Sequence, residues 1–254
     1  MCGRGYAQHS PNLDPVNWKD MRPTNKMAPF DIYTSTQATS TSDITYTINA
    51  RFCKELALFG LVGSNYTVVV KEYTGGATLE TRTGTLREHP SGWWGYLFGT
   101  RFEVRQLILE DLPMRPNAEI TVTISAGGVN PRALGMLVLG NKKSLTGVGD
   151  FGGTRLGATV DPVTYSFIKT DEDGSTTIVR RHKATNLRAE VVLPRDQVDL
   201  VVQTLQQVLD TPVAVFASGR AGRSLSTFGL IQTSPVAYDS ISTATINLDV
   251  KGII

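Results

Sequence analysis

Cysteine is nearly absent from this chain: Cys2 and Cys53 are the two that its 254 residues contain. Two thiols so placed make neither a disulfide framework nor a zinc-ligand spacing, and they fit a reducing place of synthesis. Histidine is almost as scarce. His9, His89 and His182 stand far apart, none in a G-x-S-x-G, H-E-x-x-H or H-x-E setting. Each reads as a surface histidine, so no nucleophile with its base is visible, and the chain is expected not to be an enzyme and to use no cofactor or metal. Long apolar runs are missing as well; none approaches the roughly 18 residues that span a membrane. The opening M-C-G-R-G-Y lacks the apolar core of a signal peptide. Synthesis in a cytoplasm without an export signal is therefore expected. Nor does one sign of charge dominate. The formal net charge is +2, without the basic stripe of a dedicated nucleic-acid binder. The compact run Arg180-Arg181-His182-Lys183 reads as a solvated strand end.

Proline and glycine, by contrast, are well supplied and fall where they punctuate. Residues 1–21 hold Gly3, Gly5, Pro11 and Pro15 among polar neighbours, with no periodicity; they read as an extended arm anchored by Trp18. The stretch R-P-T-N-K-M-A-P-F-D, residues 22–31, is shaped coil. Pro23 and Pro29 remove two donors and push their predecessors towards extended geometry. Asn25 and Asp31 suit Asx turns, and Met27 and Phe30 supply apolar anchors. The segment reads as a clasp laid across a β domain.

Between residues 22 and 140 the chain predicts about eight short strands at roughly ten-residue spacing and no helix. Ile44, Tyr46 and Ile48 alternate with Thr45, Thr47 and Asn49; Ile120, Val122 and Ile124 repeat the pattern. Residues 55–61 form an apolar run closed by glycine, and Gly75-Gly76 marks a hairpin turn between 65–73 and 78–86. Further strands are expected over 93–98, 104–109 and 133–139. This is the pattern of a β-sandwich or jelly roll. Residues 141–157 are glycine-rich, and no helix follows them as a phosphate loop requires, so they read as a connector.

Residues 158–254 have a different character. Strands are expected over 162–170 and 175–181, turned by Asp171, Glu172, Asp173 and Gly174, with Gly174 free to take positive φ. After a strand over 186–193 comes the one good helix, 196–210. There Val198, Val201, Val202, Leu205, Val208 and Leu209 share a face. Asp196 is the expected N-cap and Asp199 sits in the favourable first turn. Strands over 212–217, 226–232 and 240–250 complete an α+β layout of one helix on an antiparallel sheet. Two surface features carry chemistry worth testing. Trp93, Trp94 and Tyr96 form an aromatic patch that is either a glycan platform or a strand with one face in the sandwich core and the other at a subunit interface. As a strand, the patch would send Trp94, Tyr96 and Phe98 to one side and Trp93 to the other. The acidic turn 171–174 is a candidate assembly hairpin and too short of ligands for a calcium loop.

Taken in order, R-P-T-N-K-M-A-P-F-D, E-L-A-L-F-G-L, G-W-W-G-Y-L-F, L-I-L-E-D-L-P and A-E-I-T-V-T-I resemble a family of virion-associated proteins of tailed bacteriophages. G-M-L-V-L-G, the T-D-E-D-G hairpin, T-I-V-R-R-H-K, the helix and T-P-V-A-V-F extend the resemblance over roughly residues 18–254. It implies an N-terminal domain similar to galactose-binding-like β-sandwiches and a C-terminal domain similar to those that build phage tail tubes. It implies a structural role in the virion tail or neck, as a homo-oligomeric ring beside other tail proteins, with DNA met only as it passes through. It also leaves open a carbohydrate-binding adhesion module that contacts host-surface glycan.

Overall fold

The computed structural model describes residues 26–33, 36–90, 92–125, 131–145, 153–170, 173–179, 182–216 and 225–253. The arm of residues 1–21 and the first part of the clasp, 22–25, lie outside them. The chain divides into two compact units, one ending at Lys142 and the other beginning at Lys143. Both are mainly antiparallel β-structure.

In the N-terminal unit the strands are β1 (Ala38–Ser40), β2 (Ile44–Ala50), β3 (Glu55–Phe59), β4 (Asn65–Lys71), β5 (Thr78–Thr85) and β6 (Arg87–Glu88). A short helix, α1 (Trp93–Phe98), follows. Then come β7 (Phe102–Glu103), β8 (Gln106–Leu109), β9 (Ala118–Ser125), β10 (Arg132–Leu134) and β11 (Met136–Gly140). The extra strands beyond the eight expected are short pieces. The run 133–139, for instance, is cut at Gly135, whose N–H donates to the Phe59 carbonyl at 3.1 Å. Its two halves pair with different strands, β10 with β1 and β11 with β3.

Four strands form one sheet in the order β2-β9-β4-β5, and three form another in the order β11-β3-β8. Alternation explains the first sheet. The register Ile44↔Ile124, Tyr46↔Val122 and Ile48↔Ile120 places the apolar set of β2 opposite that of β9, all buried. β3 and β11 are buried along their whole lengths, which is why their sequences read as unbroken apolar runs. Leu56, Leu58 and Leu137 of the second sheet join Ile44, Val68 and Ile120 of the first in one apolar cluster. Each such side chain contributes about 1.5–3 kcal/mol by leaving water.

The clasp lies on this cluster. Residues Ala28–Phe30 make one 3-10 turn with Ala28 and Pro29 buried. Phe30 packs against the cluster, its ring edge-on to Tyr46 at 5.6 Å between centroids. The Tyr46 hydroxyl donates to the Lys26 carbonyl at 3.0 Å, and burial pushes that phenol up to about 12. Met27, expected as a second anchor, is exposed, because Ala28, Pro29 and Phe30 take the inward places. Asp31 does make its Asx turn: its carboxylate accepts the Tyr33 N–H at 2.8 Å and the Thr36 hydroxyl at 2.5 Å. Nearby, Cys53 is half-buried; burial first, then the Glu55 carboxylate, raises its thiol above the usual range.

The C-terminal unit runs β12 (Gly153–Thr154), β13 (Thr159–Thr164), β14 (Phe167–Thr170), β15 (Thr176–Val179) and β16 (Lys183–Pro194). A 3-10 turn (Arg195–Gln197) leads into helix α2 (Val198–Val208). β17 (Val213–Phe216), β18 (Ser226–Thr233), β19 (Val236–Ala237) and β20 (Thr243–Gly252) follow. The main sheet has the order β12-β16-β20-β18-β17, with β13 also on β16 and β19 on β20. Val198, Val201 and Leu205 of α2 are buried against Leu193, Ile246 and Leu248 of the sheet, the face that the 3.6-residue period marks. Asp196 is not the cap. It lies inside the 3-10 turn, the N-cap of α2 is Gln197, and neither segment has a side-chain capping bond. The strand expected over 162–170 is two strands, because Tyr165 turns to donate its N–H to the His182 carbonyl and Ser166 to the Thr164 hydroxyl. The passage 141–157 is in part structural: Leu145 packs on the second core and Gly153–Thr154 pairs with β16.

Candidate functional site

Residues 87–103 stand out from the N-terminal unit as a hairpin. Its base is rooted: Leu86 is buried in the core, its N–H donates to the Ser64 carbonyl at 2.7 Å, and its own carbonyl accepts the Val104 N–H at 2.8 Å. β6 and β7 then pair through Arg87↔Glu103 and Glu88↔Phe102. Beyond that stem the chain makes α1, not the strand expected for 93–98. The correction has a physical cause. Gly92 takes φ 89, which breaks the extended line, and its carbonyl accepts the Tyr96 N–H at 2.9 Å. Gly99 closes the turn on the Gly95 carbonyl at 2.8 Å. The glycines also allow contact with Pro90, since a Cβ on Gly95 or Gly99 would come within 2.8 Å or 2.6 Å of the Pro90 ring.

A helix regroups the aromatic side chains. Trp94 and Phe98, one turn apart, lie with ring centroids 4.4 Å apart. Trp93 meets Trp94 edge-on at 5.2 Å and 87°, and Tyr96 turns away to lie 4.7 Å from the His89 ring. None is buried. Trp93, Trp94, Tyr96, Leu97 and Phe98 are each 61–71% exposed, and Phe102 on the stem is exposed too. If each side chain presents ~150–250 Å² when bare, the tip shows on the order of 700 Å² of apolar surface. The largest patch on a typical monomer is ~300–600 Å².

The second exposed feature is the β14–β15 hairpin, paired Phe167↔Val179 and Ile168↔Ile178. It belongs to no larger sheet, and all eight strand residues are exposed. Ile168 and Ile178 sit on one face, Phe167 and Val179 on the other, so each face carries an apolar pair open to water. At its turn Gly174 takes φ 83, and the Asp173 carboxylate accepts the Ser175 N–H at 2.9 Å, which lowers its proton affinity. Asp171 and Glu172 lie outside the described residues, as do Arg180 and Arg181.

The remaining polar clusters are engaged among themselves. An open groove of about 540 Å³ on the C-terminal sheet is lined by Arg188, Glu190, Asn247 and Asp249. Arg188 pairs with Asp249 at 3.6 Å and Arg155 with Glu190 at 2.7 Å. Among the described residues no group of three His, Cys, Asp or Glu side chains is placed to hold a metal ion, and no helix is long and apolar enough to cross a membrane. The sequence drew attention to Trp93, Trp94 and Tyr96, but not to Ile168 and Ile178. They stand in F-I-K-T and T-T-I-V, where apolar and polar residues come in adjacent pairs that mark no inward face. No protein-family model matches the chain, and no curated protein matches it.

Proposed function

We propose that this chain is a structural protein of a tailed-phage particle, made in the host cytoplasm and built as a symmetric ring into the tail or the neck-to-tail region. The N-terminal unit is read as a galactose-binding-like jelly-roll sandwich and the C-terminal unit as a tail-tube-like assembly domain. The observation that supports this best is the β14–β15 hairpin. A lone two-stranded hairpin is marginal in water, yet this one carries apolar pairs on both faces. A neighbouring copy that covers the exposed half of Phe167, Ile168, Ile178 and Val179 gives each about 1 kcal/mol. Such a head-to-tail contact closes into a ring when its rotation closes. DNA meets the assembly only by passing through it, and other tail or neck proteins stack on it.

The test is the native mass of the full chain and of an Ile168→Lys, Ile178→Lys variant. The expected result is a discrete multimer that the variant loses while its far-UV circular dichroism is unchanged. A native chain that stays monomeric and is absent from purified particles overturns the reading.

A second reading, a carbohydrate-binding adhesion module that contacts host-surface glycan, is favoured by the exposure of Trp93, Trp94 and Tyr96. Against it, Trp93 and Trp94 stand at 87°, so the two rings offer no common plane to a sugar face. It predicts saturable glycan binding that Trp94→Ala abolishes.

A further inference from the structure

The hairpin tip is the strongest unexplained surface of the molecule. Its helix turns 100° per residue, so Tyr96, Trp93, Leu97, Trp94 and Phe98 fall in that order over an arc of about 200°. Gly95 and Gly99 occupy the remaining side, against Pro90. A helix that docks on one flat protein face needs a stripe of about 100°. This arc is twice that and convex, and it stands on a narrow stem.

The charges lie around the tip and not on it. Residues 90–100 contain no charged side chain. The neck carries Arg87, Arg101 and Arg105 against Glu88 and Glu103, and Glu103 is taken up by Arg105 at 3.5 Å. The neck therefore keeps a net of one positive charge, with Arg101 exposed three residues after the end of α1. Tryptophan and tyrosine are the side chains that settle at a bilayer's headgroup level, because their rings are apolar and their edges polar. The groove on the C-terminal sheet of a second copy is a poorer host, since Arg188, Glu190 and Asp249 share its lining with Ala189, Pro235 and Leu248.

We propose that α1 and its neck are a lipid-surface probe: the Trp93–Phe98 tip enters the interface of an anionic bilayer while Arg101 and Arg87 meet the headgroup phosphates. Six helical residues span about 9 Å against ~30 Å of hydrocarbon, so the tip seats in one leaflet and does not cross. This inference is independent of the ring.

The experiment is flotation of the full chain with vesicles of phosphatidylcholine alone and of an equimolar phosphatidylcholine–phosphatidylglycerol mixture. Quenching of tryptophan emission by brominated lipid is read in parallel. The native chain is expected to float with the mixed vesicles and its emission to be quenched. Trp94→Ser with Phe98→Ser is expected to lower partition at least about tenfold, and Arg101→Glu to lower it for anionic vesicles alone. These side chains are exposed, so the thermal midpoint of both variants is expected to match that of the native chain. Failure to float with either vesicle overturns the proposal, as does flotation that the double variant retains in full. Saturable binding to a soluble glycan without flotation assigns the tip to sugar and also overturns it. A native mass that falls in the double variant, when the native chain does not float, assigns the tip to a protein partner.

Discussion

The clasp, described over 26–31, and the hairpin tip at 87–103 are made of the same ingredients and end in opposite places. Each has one short helical turn, a proline in it or packed on it, and a pair of aromatic rings in contact. In the clasp, Phe30 finds the edge of Tyr46, Ala28 and Pro29 are buried, and the Tyr46 hydroxyl ties the Lys26 carbonyl down. At the tip, Trp94 finds Phe98 and Trp93, and all three stay mostly in water. The difference teaches that an aromatic ring stabilises the fold only where a sheet offers it a face. At the tip the same apolar area is left for something outside the chain.

The largest expected effect tests that contrast directly. Tyr46→Ala is expected to cost about 3–5 kcal/mol, as buried aromatic truncations do. Trp94→Ala is expected to stay within about 0.5 kcal/mol of the native chain. Urea unfolding of both variants measures the gap, and equal costs would mean that the tip is packed in solution.

A smaller effect comes from the Tyr46 phenol, pushed up to about 12 by burial from an ordinary value near 10. Its native state holds its proton where the unfolded chain has lost it. Its contribution is thus fully present below pH 10 and is lost as pH rises from 10 to 12. At about 1.4 kcal/mol per pH unit, that is about 2–3 kcal/mol. Tyr46→Phe is expected to remove this part of the alkaline destabilisation, read as the difference between the two unfolding curves; coincident curves would refute it.

The smallest is Gly99→Ala. The new Cβ would lie 2.4 Å from the Gly95 carbonyl oxygen. It is expected to open α1 locally, with faster amide exchange over 96–99. Global stability is expected to change by less than about 1 kcal/mol, because α1 opens as a local unit outside the core. Unchanged exchange would show that the turn is held by something other than its glycines.

How far the sequence carried these features depends on whether a period had room to show itself. β2 and β9 are long enough for Ile44, Tyr46, Ile48 and Ile120, Val122, Ile124 to declare their inward face, and α2 for Val198, Val201 and Leu205. Six residues at 93–98 are too few to separate a period of 2 from 3.6, and their aromatic content argues for a strand. Gly92 decides the matter through its positive φ, and Gly95 and Gly99 through contacts with Pro90 that no local pattern reveals. The same blindness hid Ile168 and Ile178. In F-I-K-T and T-T-I-V the apolar residues are adjacent, so they fall on both faces, and nothing in the pattern says whether either face is covered.

The root of the hairpin has one more consequence. The Leu86–Val104 hydrogen bond and the two pairs of the stem hold the ends of the segment together whatever its tip adopts. Closure is thereby settled at the base, so lengthening the insert costs only about 0.6 kcal/mol per doubling. The position behaves as a socket. Residues 89–101 can be exchanged for a foreign peptide with the sheets beneath intact, which makes this the natural place to display a tag or to retarget the protein to another surface.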